Sequence, residues 1–389
     1  MRAAWVVVIA LVVGLALLGR WAWHHAEVPD VDVPGASVMD ALSGGSAADG
    51  YARALTPRAF VFPRDAGPHQ DFQTEWWYAT GNLAAAGGRH FGYQLTIFRR
   101  ALTPHPTPRN VDWAASQVYF AHFSVTDVAG ERFYNRERWS RGALDLAGAR
   151  AAPRGGGAAF EAWVESWSMR ADGDELLLKA MTDEAAIDLR LRPSRGVALQ
   201  GDGGLSHKSG DPSNASYYYS VPRLDTRGTI TIGGTAVAVE GLSWLDREWS
   251  TSALGRDEVG WDWFSLQLSD GRDVMLYRMR RRDGGVDRAS SGSVMTDEGL
   301  RALRLDQVEV DALSTWKSPR SAATYPGSWR IRIPSEHLDL RVEPWLDDQE
   351  LSGSFRYWEG AVRIRGDDGR VLGNGYVELT GYADLPSAP

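Results

Sequence analysis

The chain has 389 residues, a formal net charge of −8 and no cysteine. The charge argues against a nucleic-acid partner, which would need a clustered basic surface. The lack of cysteine excludes disulfides, thiolate nucleophiles and cysteine zinc sites. Hydrophobic residues make up 43% of the chain, enough for a core, and the length allows more than one domain.

The N-terminal segment, residues 1–23, is predicted to be a targeting element. An apolar run occupies residues 3–19 and is flanked by Arg2 and Arg20. The run is just long enough for a bilayer-spanning helix, and no clear cleavage site follows it. We expect an uncleaved inner-membrane anchor, with a cleaved signal peptide as the alternative. Both place the rest of the chain on the periplasmic or extracellular side of the membrane.

Residues 24–59 are rich in Pro, Gly, Ser, Ala and Asp and are predicted to form a flexible linker. Beyond them, apolar and polar residues alternate with a period of two, as in residues 91–98 and 118–125. Glycine-rich turns separate these runs, which is typical of strands joined by hairpins. The pattern predicts an all-β, antiparallel barrel or sandwich architecture, and the length allows two such units.

A weak internal repeat favours two units. Residues 76–100 and residues 261–281 both contain an aromatic strand, a Gly-Arg turn, a second strand and a basic end. Two barrels that each begin with such a hairpin would explain the likeness, and chance similarity between hairpins would explain it equally well.

Carboxylates that stand beside tryptophan are the first candidate site residues. A carboxylate against indole rings is poorly solvated, so its pKa rises unless a partner compensates, and this suits a general acid or base. The period of two places Asp246 and Glu248 on one strand face with Trp244, and Glu75 on one face with Trp77. For Asp246 and Glu248, an ion pair between Arg247 and a neighbouring acid is an equally good interpretation.

Other residues could belong to the same site. His122 shares a face with apolar neighbours, so it is either a cavity base or a hydrogen-bonded core histidine. Tyr217 and Tyr219 share a face and suit either a cavity wall or the core. Lys208 is expected to be a solvated loop lysine, and Glu378 to lie on an exterior polar face. No histidine pair has metal-ligand spacing and no nucleotide motif is present, so neither a metal nor a cofactor is predicted.

Several stretches of the chain, in this order, carry a resemblance to a known family. They are residues 73–83, 121–123, 199–202, 217–220, 244–250, 260–264, 357–360 and 375–382, together with His69 and Lys208. These stretches resemble the AttH-like proteins, which are related to carotenoid 1,2-hydratases and often labelled predicted secreted hydrolases. The resemblance covers about residues 60 to 385. It implies two tandem lipocalin-like barrels, residues 60–250 and 251–385, behind the N-terminal hydrophobic helix.

We therefore predict that a cavity in or between the barrels binds an apolar small molecule such as a lipid, isoprenoid or polyketide. If the protein is an enzyme, acid–base chemistry of hydro-lyase, isomerase or hydrolase type is expected, with Asp246 as the acid and His122 or Glu75 in support. A non-catalytic carrier associated with an export system is the alternative, and a scaffold with filled barrels is a third. The predicted ligand-binding residues are Trp77, Trp244, Glu248, Tyr217, Tyr219, Trp263 and Tyr277.

Overall fold

The computed structural model describes residues 49–105, 114–151, 160–251, 254–255 and 257–383. The predicted N-terminal helix lies outside these residues, as does most of the predicted linker. Within the described part of the chain, no helix is long and apolar enough to cross a membrane. Helical structure there is limited to single turns at Arg64–Ala66, Leu305–Gln307 and Pro334–Glu336.

The first antiparallel sheet contains the strands from Thr74 to Ser250. Their order in space is β4-β3-β2-β1-β13-β12-β9-β8-β7-β6-β5, and β10 and β11 pair with β12. The strands are β1 (Thr74–Ala85), β2 (His90–Ala101), β3 (Gln117–Asp127), β4 (Arg132–Arg141), β5 (Ala147–Arg150), β6 (Glu161–Val164), β7 (Trp167–Asp172), β8 (Glu175–Met181), β9 (Ala185–Pro193), β10 (Ala198–Leu199), β11 (Leu205–His207), β12 (Ala215–Ile232) and β13 (Thr235–Ser250).

The second antiparallel sheet begins at Glu258. Its order in space is β17-β16-β15-β14-β23-β22-β20-β19-β18, and β21 pairs with β22. The strands are β14 (Glu258–Leu268), β15 (Asp273–Arg281), β16 (Ser291–Thr296), β17 (Gly299–Arg304), β18 (Glu309–Lys317), β19 (Thr324–Ile333), β20 (Leu338–Pro344), β21 (Glu350–Leu351), β22 (Tyr357–Arg365) and β23 (Val371–Leu379). In both sheets the first strand pairs with the last, since β1 lies beside β13 and β14 beside β23.

Local sequence explains the hairpins that build these sheets. Gly87 and Gly88 connect β1 to β2 with φ angles of 85° and 84°, a region that side chains with a Cβ disfavour. Gly233 and Gly234 make the corresponding turn between β12 and β13, with φ angles of 56° and 82°. The expectation of an all-β chain with two barrel-like antiparallel sheets is confirmed.

Strand alternation separates the inward from the outward side chains of both barrels. Residues such as Leu95 and Ile97 of β2 belong to the core of the first barrel, while Phe264 and Leu266 of β14 belong to the core of the second. A further apolar cluster joins outward residues of both sheets, and Tyr78 packs there with the second sheet. The barrels therefore contact each other through their outer faces, which makes these faces buried rather than solvent-exposed.

Polar contacts and a close approach fix the position of this interface. The Gln267 amide donates to the carbonyl oxygens of Pro222 and Ser243 at 2.8 and 3.0 Å. A Cβ added at Gly92 would lie 2.4 Å from the Cβ of Ala361, so the sheets approach too closely there for any larger residue. Packing at this distance holds the outward side chains of the two sheets in a defined mutual arrangement.

Candidate functional site

A cleft opens between the two barrels, between outward side chains of β1, β2, β12 and β13 and those of β14, β15 and β23. Its volume accessible to water is about 70 Å³, within a total free volume of about 700 Å³ that includes the open mouth. The cleft is therefore narrow and suits a flat or thin ligand. The lining residues are Trp76, Tyr78, Phe98, Lys208, Tyr218, Asp246, Glu248, Trp261, Trp263, Tyr277, Met279 and Glu378.

Aromatic side chains form most of the wall of the cleft. Seven of its twelve lining residues are Trp, Tyr or Phe. The Tyr78 and Trp263 rings from the two barrels meet edge to face, with centroids 5.2 Å apart. Trp263 also donates its indole N–H to the Tyr218 hydroxyl at 3.1 Å. Paired rings of this kind are rigid, so they present a preorganised apolar surface with few rotamers to lose on binding.

Asp246 lies in this cleft and accepts three hydrogen bonds. Its Oδ1 accepts from the Ser220 hydroxyl at 2.6 Å and from the Trp244 indole N–H at 2.7 Å, while its Oδ2 accepts from the Tyr218 hydroxyl at 2.6 Å. Burial raises the pKa of Asp246 from 3.8 to about 7 against these hydrogen bonds, and the nearby Glu248 carboxylate adds to the rise. The side chain can therefore hold or release a proton near neutral pH.

Glu378 of β23 faces the same cleft. Burial is the largest cause of its raised pKa, a single hydrogen bond from the Trp261 indole N–H opposes the rise, and the Asp246 and Glu248 carboxylates add to it. The indole nitrogen lies 3.0 Å from Oε2 of Glu378. Two carboxyl groups with raised pKa values thus share one aromatic cleft, which is an arrangement suited to acid–base chemistry.

A buried ion pair marks one side of the cleft. The Lys208 ammonium lies 2.8 Å from Oε1 of Glu248 and 3.2 Å from the Ser206 hydroxyl. It also lies 5.0 and 4.7 Å from the ring centroids of Tyr218 and Tyr277. Burial lowers the pKa of Lys208, but the Glu248 carboxylate, together with Tyr277 and Asp246, outweighs that effect and the pKa is raised. Lys208 is therefore a fixed cation, and the expectation of a solvated loop lysine was wrong.

Glu75 lies in a different place, at one end of the first barrel. Its carboxylate bridges the guanidinium groups of Arg99 and Arg247 and accepts the backbone N–H of His69. Burial raises the pKa of Glu75, but the two arginines outweigh burial and hold the pKa well below its usual range. Glu75 is therefore ionised at ordinary pH and acts as the partner of two buried cations, which is a structural role.

His122 also lies outside the cleft lining. One of its ring nitrogens, Nδ1, lies 2.6 Å from the Tyr357 hydroxyl, and Nε2 lies 3.2 Å from Oε2 of Glu137. Phe98, which lines the cleft, contacts the imidazole edge to face with ring centroids 5.4 Å apart. His122 is thus connected to the cleft wall, but nothing on its ring is directed at the cleft itself.

The predicted ligand-binding aromatic residues divide between the cleft and the core. Trp263 and Tyr277 line the cleft, and Trp244 supports Asp246 from behind. Trp77, Tyr217 and Tyr219 are instead buried in the core of the first barrel, so the structure does not bring them to the cleft. The physical reason is strand alternation, because Tyr218, between the two tyrosines, is the residue that faces outward.

Several cleft residues were not anticipated from the sequence. Glu378 was expected on an exterior polar face, and this was wrong because the first barrel covers that face. Its neighbours on the strand face, Tyr376 and Thr380, are buried as well. Trp263 on the neighbouring strand β14 stands opposite Glu378 in the register, so a tryptophan beside this carboxylate was the feature that could have indicated the site. Other unanticipated lining residues are Trp76, Tyr78, Phe98, Tyr218, Trp261 and Met279.

The described ranges contain no group of three or more His, Asp or Glu side chains arranged to hold a metal ion. The groups in the cleft lining that can donate or accept protons are its carboxyl groups, its lysine and its tyrosine hydroxyls.

Comparison with solved structures places this fold among known proteins. An AttH-type protein from Nitrosomonas europaea is 34% identical, with a TM-score of 0.75, and the match covers 85% of this chain and 99% of that one. Kievitone hydratase from Nectria haematococca is 15% identical with a TM-score of 0.63, and the match covers 86% and 97% of the two chains. CghA is 10% identical with a TM-score of 0.52 over 86% and 97% of the chains. The last two show a shared fold.

No curated protein matches the sequence. The family model for AttH-like proteins, in contrast, matches residues 53–382, which include both sheets and every residue of the cleft. The match extends over most of the chain and agrees with the likeness to the Nitrosomonas protein. The chain belongs to the AttH-like family.

Proposed function

We propose that the cleft binds an apolar, unsaturated small molecule and adds water to it, or removes water from it, by acid–base catalysis. The observation that carries this proposal is the pair Asp246 and Glu378, two carboxyl groups with raised pKa values in one aromatic cleft. Kievitone hydratase, a protein of the same fold, supports water addition as the reaction type. A lipid, isoprenoid or polyketide is the ligand class that suits such walls.

The hydrogen bonds suggest which carboxyl group holds the proton. Asp246 accepts three hydrogen bonds, which stabilise its ionised form, whereas Glu378 accepts one. Glu378 is therefore the acid and Asp246 the base, which reverses the role expected for Asp246 from the sequence.

The proposed hydration of a double bond then has three steps. The Glu378 carboxyl proton is transferred to a carbon–carbon double bond, leaving a carboxylate and a carbocation. A water molecule adds to the cation, and Asp246 takes the proton that the bound water loses. Trp261 and Trp263 stand beside the site of positive charge and stabilise it by cation–π attraction. Dehydration is the same sequence in reverse.

Uptake of labelled water tests this proposal. The purified protein is incubated in heavy-oxygen water with aromatic isoprenoids, linear isoprenoids and unsaturated fatty acids, and products are analysed by mass spectrometry. We expect label in a product of the parent protein and its loss in Glu378→Gln and Asp246→Asn. Glu350→Gln is the matched control, because Glu350 is also a buried acid bonded by serine and tyrosine hydroxyls but lies outside the cleft. Equal label uptake in all four proteins would contradict the proposal.

A carrier without turnover is the second candidate, and the predominance of aromatic over polar side chains in the lining favours it. It predicts that native mass spectrometry detects a bound apolar molecule that is released chemically unchanged. No label would then enter the ligand under the conditions above.

We also propose that the protein works on the periplasmic or extracellular side of a membrane, where a carrier could serve an export system. The apolar run at residues 3–19 supports this placement. Fusion of a reporter enzyme that is active only outside the cytoplasm would test it. Activity of a fusion at the C-terminus is expected, and an inactive but intact fusion would contradict the placement.

A further inference from the structure

A second buried carboxyl group stands directly behind Glu378. Glu359 of β22 is opposite Glu378 of β23 in the strand register, so the two side chains are neighbours on one face of the sheet. Glu359 is 0% exposed. Two carboxylates this close, in so apolar a place, are unstable when both are ionised, and the pair is stable when it retains a proton.

The surroundings of Glu359 agree with a retained proton. Neither of its oxygens has a hydrogen-bond partner of regular geometry in the described part of the chain. The Tyr78 and Tyr357 hydroxyls interact with it at less regular geometry. Burial is the largest cause of its strongly raised pKa, and Glu378 is the second, while the two tyrosines oppose the rise. Tyr376 on β23 is the other titratable neighbour, and Glu359 raises its pKa.

Beyond Tyr357, polar groups continue to the edge of the first sheet. The Tyr357 hydroxyl lies 2.6 Å from Nδ1 of His122, and Nε2 of His122 lies 3.2 Å from Oε2 of Glu137. The His122 side chain is 3% exposed and that of Glu137 is 11% exposed, so the series runs from a buried end to a solvent-accessible one. Glu137 belongs to β4, the edge strand of the first sheet.

The charge at the outer end suits proton uptake. Burial raises the pKa of Glu137, but the hydrogen bond and charge of His122 outweigh burial and lower the pKa to about 2. Glu137 therefore remains ionised and places a negative charge 3.2 Å from Nε2 of His122. The backbone N–H of Ser354 donates to Oε1 of Glu137 at 2.9 Å and holds the carboxylate in place.

We propose that Glu137, His122, Tyr357 and Glu359 form a proton relay between solvent and Glu378 in the cleft. Each transfer balances: His122 takes a proton from solvent beside Glu137, Tyr357 accepts a proton from Nδ1 and gives its own to Glu359, and Glu359 gives its proton to Glu378. The net result is that one solvent proton restores the Glu378 carboxyl group. His122 and Tyr357 are thus positioning residues of the relay, since neither lines the cleft.

The use of this relay rests on the proposed function, in which Glu378 loses its proton to the ligand. A ligand that fills the narrow cleft excludes water from Glu378, so a route from behind would restore the acid without ligand release. The relay itself exists without ligand, and it can therefore be tested independently of turnover.

Infrared spectroscopy of the ligand-free protein provides the test. A protonated buried carboxyl group has a distinct carbonyl stretch, which shifts when its proton exchanges after rapid mixing into heavy water. Loss of this band in Glu359→Gln or Glu378→Gln assigns it to the pair. We expect exchange in Tyr357→Phe to be slower than in the parent by about tenfold or more, because the hydroxyl link is missing.

Two further variants keep the test decisive. His122→Gln should slow exchange by a similar factor while leaving Tyr357 in place. This variant keeps the relay testable if circular dichroism shows that Tyr357→Phe is misfolded. Tyr325→Phe is the matched control, since Tyr325 is equally buried and donates to Glu350 at 2.9 Å, outside the series. Unchanged exchange in His122→Gln, or the absence of any protonated-carboxyl band that is lost on substitution of Glu359 or Glu378, would overturn the relay. Neither outcome depends on whether labelled water is taken up.

Discussion

Replacing Asp246 by asparagine is expected to stabilise the fold at high pH while it removes the proposed base. The pKa rise of Asp246 from 3.8 to about 7 is a cost of folding, because the folded state disfavours the charge. The rise spans about three pH units at about 1.4 kcal/mol each, so the ionised side chain costs about 4 kcal/mol. Asparagine removes this cost.

The substitution also disturbs the three hydrogen bonds to Asp246. The Tyr218 and Ser220 hydroxyls can rotate, but one donor then faces the new amide group, at a cost of about 1–3 kcal/mol. The net gain of Asp246→Asn is therefore about 1–3 kcal/mol above about pH 8. The gain shrinks as pH falls from about 7 towards the unfolded-state pKa of 3.8, and it disappears below about pH 3, where the carboxyl group is protonated in both the folded and the unfolded parent.

Urea unfolding of parent and variant between about pH 4 and pH 9 measures this difference. The exposed Asp188, which pairs with Lys179 at 3.0 Å, provides the control, and Asp188→Asn should change stability by less than about 1 kcal/mol. A difference in the free energy of unfolding between parent and Asp246→Asn that is independent of pH would show that the pKa of Asp246 is not raised in the folded protein.

Three further predictions concern other parts of the structure. Glu75→Gln should lower the free energy of unfolding by about 3–5 kcal/mol in urea titration, because it leaves the buried Arg99 and Arg247 without their carboxylate. The Glu75 contribution is complete above about pH 5 and is lost as pH falls towards the depressed folded-state pKa, so the stability difference between the parent and Glu75→Gln should narrow as pH falls below about 5. Lys208→Met should destabilise the fold by a similar amount, because it leaves the buried Glu248 carboxylate without its cation. A much smaller loss of stability would indicate that this ion pair is exposed to solvent. Gly87→Ala should cost about 1–2 kcal/mol, since φ is 85° and the space is open, and an unchanged melting temperature would contradict a purely conformational cost.

The sequence was sufficient to predict which residues share a strand face. Trp244, Asp246 and Glu248 lie together as the period of two predicted, and the glycine pairs form the expected hairpin turns. These features depend on local backbone geometry, which neighbouring residues determine.

What the sequence could not predict is which face another sheet covers. Tyr217 and Tyr219 were chosen over Tyr218 because two tyrosines on one face suggested a cavity wall, but that face fills the core of the first barrel. Glu378 was assigned to an exterior face because the residues beside it on that face of the last strand are polar, but the first barrel covers this face. Both assignments depend on contact between strands far apart in the chain, and alternation carries no information about that contact.

NMR titration of isotope-labelled carboxyl groups is the sharpest test of whether Asp246 and Glu378 form an acid–base pair in the cleft. We expect one carboxyl group that titrates at about 7 and is absent in Asp246→Asn. We expect a second carboxyl group with a raised pKa that is absent in Glu378→Gln. Titration of both groups in the ordinary range of aspartate and glutamate, at about 4, would show that the cleft holds no such pair.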